Sequence, residues 1–347
     1  MKRSWNYWLI VALAIPLTTL FLYIASAQGA DNDHDAQKQS EEDRELFDDL
    51  RFERGFKIID IARKPRALGT LNLTESMKDE DDASGAPAWG LAQHNSKYDL
   101  TRCDVRSEGS ARFVETPSQR VALSTNVLGE NVLTLRVSTD QEYASPRRAN
   151  EPWIHLLLTY DFPKQNRVAF KDVDSLIFSC DARVADWKRL QSVESYDSNI
   201  HATQASVYFA IPNGKPGSED LDDYIWFGVS FFDDRYEVQS SYVALDGDPK
   251  TIGTGKLIYR LGDQKTIDTI LGGVNPYSGD WAHIEFDLKR YLPEALAAAQ
   301  KRGLLTHSEP DDFVIAHFNF GWETPGVYES TLEIKNLHLR ARRFEGQ

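Results

Sequence analysis

Three short runs in this chain place indole, imidazole and carboxylate groups at alternate positions. Trp153, His155, Leu157 and Thr159 alternate with Ile154, Leu156, Leu158 and Tyr160. Trp281, His283, Glu285 and Asp287 alternate with Ala282, Ile284, Phe286 and Leu288. In the third run, His317 and Asn319 lead to Gly321-Trp322-Glu323. A period of two marks a strand, and in each run one row is apolar, so the other faces away from a core. Aromatic faces stack on the apolar side of a pyranose, while side-chain donors and acceptors meet its hydroxyls. If the three strands share one sheet, its outer face would suit a sugar. The alternatives are a solvent face with scattered Trp and His, or Trp packed beneath loops and a helix.

Acid–base chemistry on a sugar needs carboxylates at defined separations, about 5–5.5 Å for retention and 6.5–9.5 Å for inversion. Glu285 and Asp287 lie two apart on one strand face, roughly 7 Å along the strand. Glu323 beside Trp322 and Glu142 beside Tyr143 are the other acids next to aromatic residues. The candidate catalytic residues are therefore Glu142, His155, Glu285 and Glu323. Tyr143, Arg147, Trp153, Trp281, His283 and Trp322 are the candidate ligand-binding residues. The run from Glu142 to Arg148 reads as a compact loop between strands, where function often resides. Its arginines could grip an acidic sugar carboxylate, and Arg147, His155 and Tyr143 form the best set for a lyase on an acidic polymer.

Other constellations read as structural. Asp233 and Asp234 point to opposite sides, so one is expected to pair with Arg235 while the other caps a turn. Asp246-Gly247-Asp248 offers two calcium-type oxygens but lacks the further spaced ligands. The His spacing gives no zinc motif, and no phosphate-binding or dinucleotide fingerprint is present. No metal and no cofactor are expected.

The net charge of −14, from 53 acidic and 39 basic residues, argues against nucleic acid, which needs a basic footprint. Lys2 and Arg3 precede an uncharged run from Trp8 to Ala27. That run ends in Ala25-Ser26-Ala27, which fits a cleavage site. It is expected to be a signal peptide over 1–27 or an uncleaved anchor over 8–27; both export the rest of the chain to the periplasm, cell surface or medium. A membrane is a partner only if the segment stays uncleaved. Cys103 and Cys180 are the only cysteines, and an oxidising compartment would allow a disulfide between them, with two separate thiols as the alternative.

Residues 28–55 read as an acidic linker passing into a short helix, and 56–345 as a single domain. From Trp89 onward short strands alternate with turn signals such as Pro212-Asn213-Gly214 and Ser278-Gly279-Asp280. This rhythm predicts an all-β antiparallel sandwich. One helix is expected, over 293–302, with Pro293 at its first position and Gly303 ending it. In the last strand the apolar row runs Leu332, Ile334, then Leu337, Leu339. That slip of one residue predicts a β-bulge at Lys335-Asn336.

On this strand rhythm, with Trp153-Ile154-His155, Trp281-Ala282-His283 and the ending Gly321-Trp322-Glu323…Leu332-Glu333-Ile334-Lys335-Asn336-Leu337, the chain resembles concanavalin-like jelly-roll sandwiches. These are folds of secreted carbohydrate-active and carbohydrate-binding proteins. The E-x-D-x-x-E strand of one glucanase family of that fold is missing. The resemblance implies a jelly-roll-like fold and a carbohydrate or polysaccharide partner. It leaves open a binding protein, a glycoside hydrolase or polysaccharide lyase, and a structural or adhesive surface protein.

Overall fold

A computed structural model describes residues 43–61, 65–74, 85–237, 241–247 and 253–343. The expected export segment lies outside the described residues. In chain order, the first strands are β1 (Asp43–Glu45), β2 (Phe56–Ile61), β3 (Pro65–Leu71) and β4 (Trp89–Ala92). Next come β5 (Arg106–Glu108), β6 (Ala111–Glu115), β7 (Gln119–Thr125), β8 (Asn131–Ser138) and β9 (Ile154–Asp161). Then follow β10 (Ser175–Arg189), β11 (Gln204–Pro212), β12 (Tyr224–Asp233), β13 (Tyr242–Leu245) and β14 (Leu257–Leu261). Helix α1 (Gln264–Ile270), β15 (Ala282–Asp287), helix α2 (Leu288–Gln300), β16 (His317–Thr324) and β17 (Tyr328–Arg342) complete the chain.

Among the described residues these strands form two sheets. Sheet A runs β15-β10-β17-β8-β7-β6-β5, and sheet B runs β13-β14-β12-β11-β16-β9-β4-β2-β3. The fold is thus an all-β, jelly-roll-like sandwich. Pairing is antiparallel except at β12/β14 and β2/β4, which are parallel. At the first of these, β13 takes the sheet edge and β14 returns beside β12 in the same direction.

The inner rows of the two sheets meet as a core rich in aromatic rings. Phe178 of β10 in sheet A packs within 5.5 Å, centroid to centroid, of Phe209 and of Phe318 in sheet B, and within 5.3 Å of Phe286. Interdigitating inner faces of this kind are what hold a sandwich together.

Three local expectations are revised. The stretch from Asp43, expected to be helical, is strand β1, which pairs with the end of β17 beyond the reach of β8 (Glu45 opposite Arg340). Its short polar sequence gains more from an open strand edge than from an isolated turn of helix. Helix α2 begins at Leu288, five residues before Pro293. Asp287 caps it, its carboxylate accepting from the Lys289 amide at 3.0 Å, and Leu292, Ala295, Leu296 and Ala299 form its buried stripe. Pro293 therefore sits inside the helix rather than at its start. Helix α1 is the second helix, where one was expected; Asp263 caps it, accepting from the Thr266 amide at 3.0 Å.

The bulge expected in β17 is present. Ser179 pairs with His338 and Asp181 with Lys335, so the register slips between them, and Asn336 takes φ +53°. Asn tolerates that left-handed backbone better than most side chains do.

Candidate functional site

Because sheet registers are known, the outward-facing residues of sheet B can be placed in rows that cross its strands. One row runs His155 (β9), Glu323 (β16), Gln204 (β11) and Asp233 (β12). His94 extends it, its carbonyl accepting from the His155 amide at 3.1 Å. The next row is Leu157, Gly321, Ser206 and Ser230, small from its second member on. A third runs Thr159, Asn319, Tyr208, Gly228, Arg260 (β14) and Tyr242 (β13). The fourth is Asp161, His317, Ala210, Trp226, Ile258 and Ala244. A strip of small residues is thus flanked by titratable and amide groups on one side and by phenols, an amide and a guanidinium on the other.

Hydrogen bonds tie the first row together. The Gln204 amide donates to Glu323 Oε2 at 2.8 Å, and Arg235 Nη2 donates to Gln204 Oε1 at 3.3 Å. Arg235 in turn grips the wholly buried Asp233 carboxylate bidentately, at 2.8 and 2.6 Å. Asp234 points the other way and accepts from the Thr203 amide at 2.8 Å and the Tyr328 hydroxyl at 2.7 Å. Asp233 takes the arginine as expected, but it also accepts from the Arg235 amide at 3.2 Å, so it caps the turn as well, and Asp234 ties the strand end to distant residues instead. Glu323 also lies 3.8 Å from His155 Nε2, so a half-buried carboxylate is held by an amide on one side and faces an imidazole on the other.

Two of the imidazoles, His94 and His155, are biased towards the neutral form. Burial pushes His94 down to about 3, with the nearby His155 and His317 adding to the effect. Burial also lowers His155, against the pull of Glu323. His94 contacts His155 at 5.5 Å between ring centres, and Trp153 stacks on His155 at 5.6 Å and 28°. A stability consequence follows with a definite sign. The unfolded chain takes up a proton on His94 near pH 6.5, whereas the folded chain resists until about pH 3. Stability should therefore fall as pH drops through that window, by at most about 1.4 kcal/mol per pH unit for this group. Urea unfolding at pH 7.0, 5.5 and 4.5 should show a slope that flattens in His94→Gln; an unchanged slope would exclude the effect.

In the third row Tyr208 owes its position to a glycine. A Cβ on Gly228 would fall 2.2 Å from the Tyr208 ring, so the phenol lies across β12 in the space that only glycine leaves open. There it faces Arg260. Burial raises Tyr208 to about 12 even though the Arg260 charge opposes the shift. In the fourth row Trp226 meets His317 edge to face at 5.8 Å, and His317 Nδ1 pairs with Asp161 at 2.7 Å.

The structure separates the sequence-derived candidates into three groups. His155, Trp153 and Glu323 come together on the outer face of sheet B. Trp281, His283 and Glu285 lie on the outer face of sheet A, so the three alternating runs do not share a sheet. There His283 pairs with Asp181 at 2.8 Å and Glu285 is exposed. Trp281 is flanked by the Arg183 and Lys335 cations at 4.9 and 5.1 Å from its ring. Asp287, the partner proposed for Glu285, is occupied as the cap of α2. Strand alternation sets which way a side chain faces, but β15 joins β10 rather than β9 or β16, and nothing local encodes that choice.

The third group is committed to holding loops. Glu142 is 4 % exposed; it accepts from Ser96 Oγ at 2.6 Å, from the Lys97 amide at 2.9 Å, and from Ser118 Oγ. Its oxygens are occupied, which leaves it a loop anchor rather than a catalyst. Tyr143 donates to the Thr324 carbonyl at 3.0 Å and accepts from the Ile154 amide at 3.1 Å, stitching β9 to β16. Arg147 donates to the carbonyls of Arg148, Glu151 and Ile200 at 2.7–3.0 Å. Trp322 is wholly buried on the inner row, its indole donating to the Leu135 carbonyl at 3.0 Å. The β16 strand simply runs on through Trp322 to Thr324, so Trp322 follows Phe318 and Phe320 inward, while Glu323 follows Asn319 and Gly321 outward.

Cys103 and Cys180 are both free thiols, not a disulfide. Cys180 is buried on the inner row of β10, opposite Ile284, and Cys103 ends a 3-10 turn packed against the edge strand β3. Asp246 accepts from the Thr254 amide and hydroxyl at 3.1 and 2.6 Å, as a turn residue; Asp248 lies outside the described residues.

Gln204, Tyr208, Trp226, Arg260 and His94 were not among the sequence candidates. Two signals point to the first four of them, the alternation of 204–212 and 224–230 and a single charge within the apolar run Leu257–Leu261, and neither reaches His94.

No family model and no curated protein matches the chain. Among solved structures, the endoglucanase Cel12A from Rhodothermus marinus is 10 % identical with a TM-score of 0.35, over 70 % of this chain and 97 % of that one. A family 12 xyloglucanase from Bacillus licheniformis gives 7 % identity, a TM-score of 0.38 and coverage of 69 % and 97 %. A family 11 xylanase from Neocallimastix patriciarum gives 10 %, 0.32 and coverage of 69 % and 94 %. At these values neither a function nor a residue role follows from the likeness.

Proposed function

We propose that this protein binds a saccharide chain on the outer face of sheet B. The observation that carries the reading is the composition of that face. Half-buried Trp153, Tyr208 and Trp226 are interleaved with Gln204, Asn319 and Glu323 at sheet spacing. Tyr208 and Trp226, on neighbouring strands and adjacent rows, are roughly 8 Å apart at the backbone, Trp153 stands at the far end of β9, and the amide and carboxylate groups between them would meet hydroxyls. Trp226→Ala should weaken binding in a polysaccharide panel about ten- to thirtyfold, the weight of one buried aromatic contact of about 1.5–2 kcal/mol. Trp281→Ala, on sheet A, should leave it unchanged. A panel with no binding, or with the two substitutions reversed in effect, would sink the proposal.

A second reading, cleavage of the bound glycan, is favoured by the setting of Glu323. Its carboxylate is oriented by Gln204 and faces His155, the arrangement of a positioned proton donor. Asp233 lies two strands away, roughly 10 Å at the backbone, but its oxygens are committed to Arg235. On this reading the wild type releases reducing ends and Glu323→Gln loses about 10²–10⁴ of the rate; a wild type that releases none removes it. We further infer export from the apolar run before Ala27, which Edman sequencing of the mature chain and fractionation of host cells would test.

A further inference from the structure

Among the described residues, one cation on the proposed binding face has no counter-charge. Arg260 is 5 % exposed and stands in the outward row of β14, between inward Tyr259 and Leu261. Its guanidinium lies 5.4 Å from the Tyr242 ring centre, and its Nε is buried without a hydrogen-bond partner. Among the described residues no carboxylate pairs with it. A buried, permanently charged guanidinium without an anion is costly, and a carboxylate brought by a ligand would supply the missing charge. Two other enclosed arginines are held differently, half-buried Arg235 by the Asp233 carboxylate and Arg147, whose Nε is likewise unpaired, by three backbone carbonyls.

The surroundings of Arg260 suit a carboxylate set on a sugar ring. Tyr208 lies over Gly228 on one side of it and Tyr242 on the other, two ring faces that would flank a pyranose while the guanidinium takes the acid group. Asn319 stands next to Tyr208 in the same row as an amide for the second carboxylate oxygen or a hydroxyl. On the same face, a depression of about 220 Å³ beside Ala210 and Tyr224 is lined by Lys164 and Arg167 as well as Asp222. The overall charge of −14 opposes an acidic polymer only at long range, where salt screens it beyond about 8–10 Å.

Building on the saccharide reading above, we propose that the ligand is a uronate-containing glycan and that Arg260 binds its carboxylate. The test compares polygalacturonate and alginate with the same polymers after chemical reduction of their carboxyl groups to neutral hydroxymethyl groups, by affinity electrophoresis and calorimetry. At least one native polymer should bind tenfold or more tightly than its reduced form. Arg260→Gln, checked for folding by circular dichroism, should abolish that ratio, and Arg260→Lys should restore only part of it, since lysine keeps the charge but loses the planar fork. If the glutamine variant does not fold, the wild-type ratio and the lysine variant still decide. Equal binding of native and reduced polymers, or preference for a sulfated galactan over both uronates, would overturn the uronate assignment while leaving the saccharide reading intact. Binding to none of the polymers, charged or neutral, would overturn both.

Discussion

Trp322→Ala should destabilise the protein by about 3–5 kcal/mol, the usual cost of emptying a large aromatic from a close-packed core. Three observations place it at that level. The ring is wholly buried, it meets Phe232 edge to face at 6.0 Å, and its indole nitrogen satisfies the Leu135 carbonyl of the opposite sheet at 3.0 Å. Truncation therefore leaves a cavity between the sheets and removes the indole bond to that buried carbonyl as well. Urea unfolding followed by circular dichroism measures the loss. Trp226→Ala is the control on the outer face, where about 1 kcal/mol or less is expected. Equal losses at the two sites would contradict the assignment of Trp322 to the core and Trp226 to the face.

Asp233→Ala is expected to cost a similar amount, about 3–5 kcal/mol, for an electrostatic reason. Asp233 is wholly buried and its partner Arg235 mostly so. Removing the acid strands a guanidinium in a low-dielectric setting, which is far worse than never having built the pair. The effect should also reach the site. Arg235 holds Gln204, and Gln204 holds Glu323, so the carboxylate facing His155 loses its orientation. Arg235→Met combined with Asp233→Leu removes both charges and should recover much of the stability without restoring saccharide affinity. Recovery of both would show that the chain from Asp233 to Glu323 is structural only.

The sandwich itself was legible because strand alternation is a local property. Inward rows such as Phe318 and Phe320, and the bulge at Lys335-Asn336, can be read from single strands, since a period of two and a slip in it need no partner. The same alternation, followed one step further, sends Trp322 inward, and the strand does continue to Thr324. The fate of Glu142 was not legible. A carboxylate beside a tyrosine in a loop looks equally like a catalyst and an anchor, and only the arrival of Ser96, Lys97 and Ser118 from distant parts of the chain decides between them.

By itself, the sequence determined which face of each strand is polar, where strands end, and that indole, imidazole and carboxylate groups recur on outward rows. The tertiary structure alone decided that β9 and β16 are neighbours while β15 belongs to the other sheet. It also decided that Arg147 is spent on backbone carbonyls while Arg260 meets no acid among the described residues. The physical reason is the same in each case. The direction of a side chain is set by its own backbone, but its partners are set by pairings between strands far apart in sequence, and a site is made of partners.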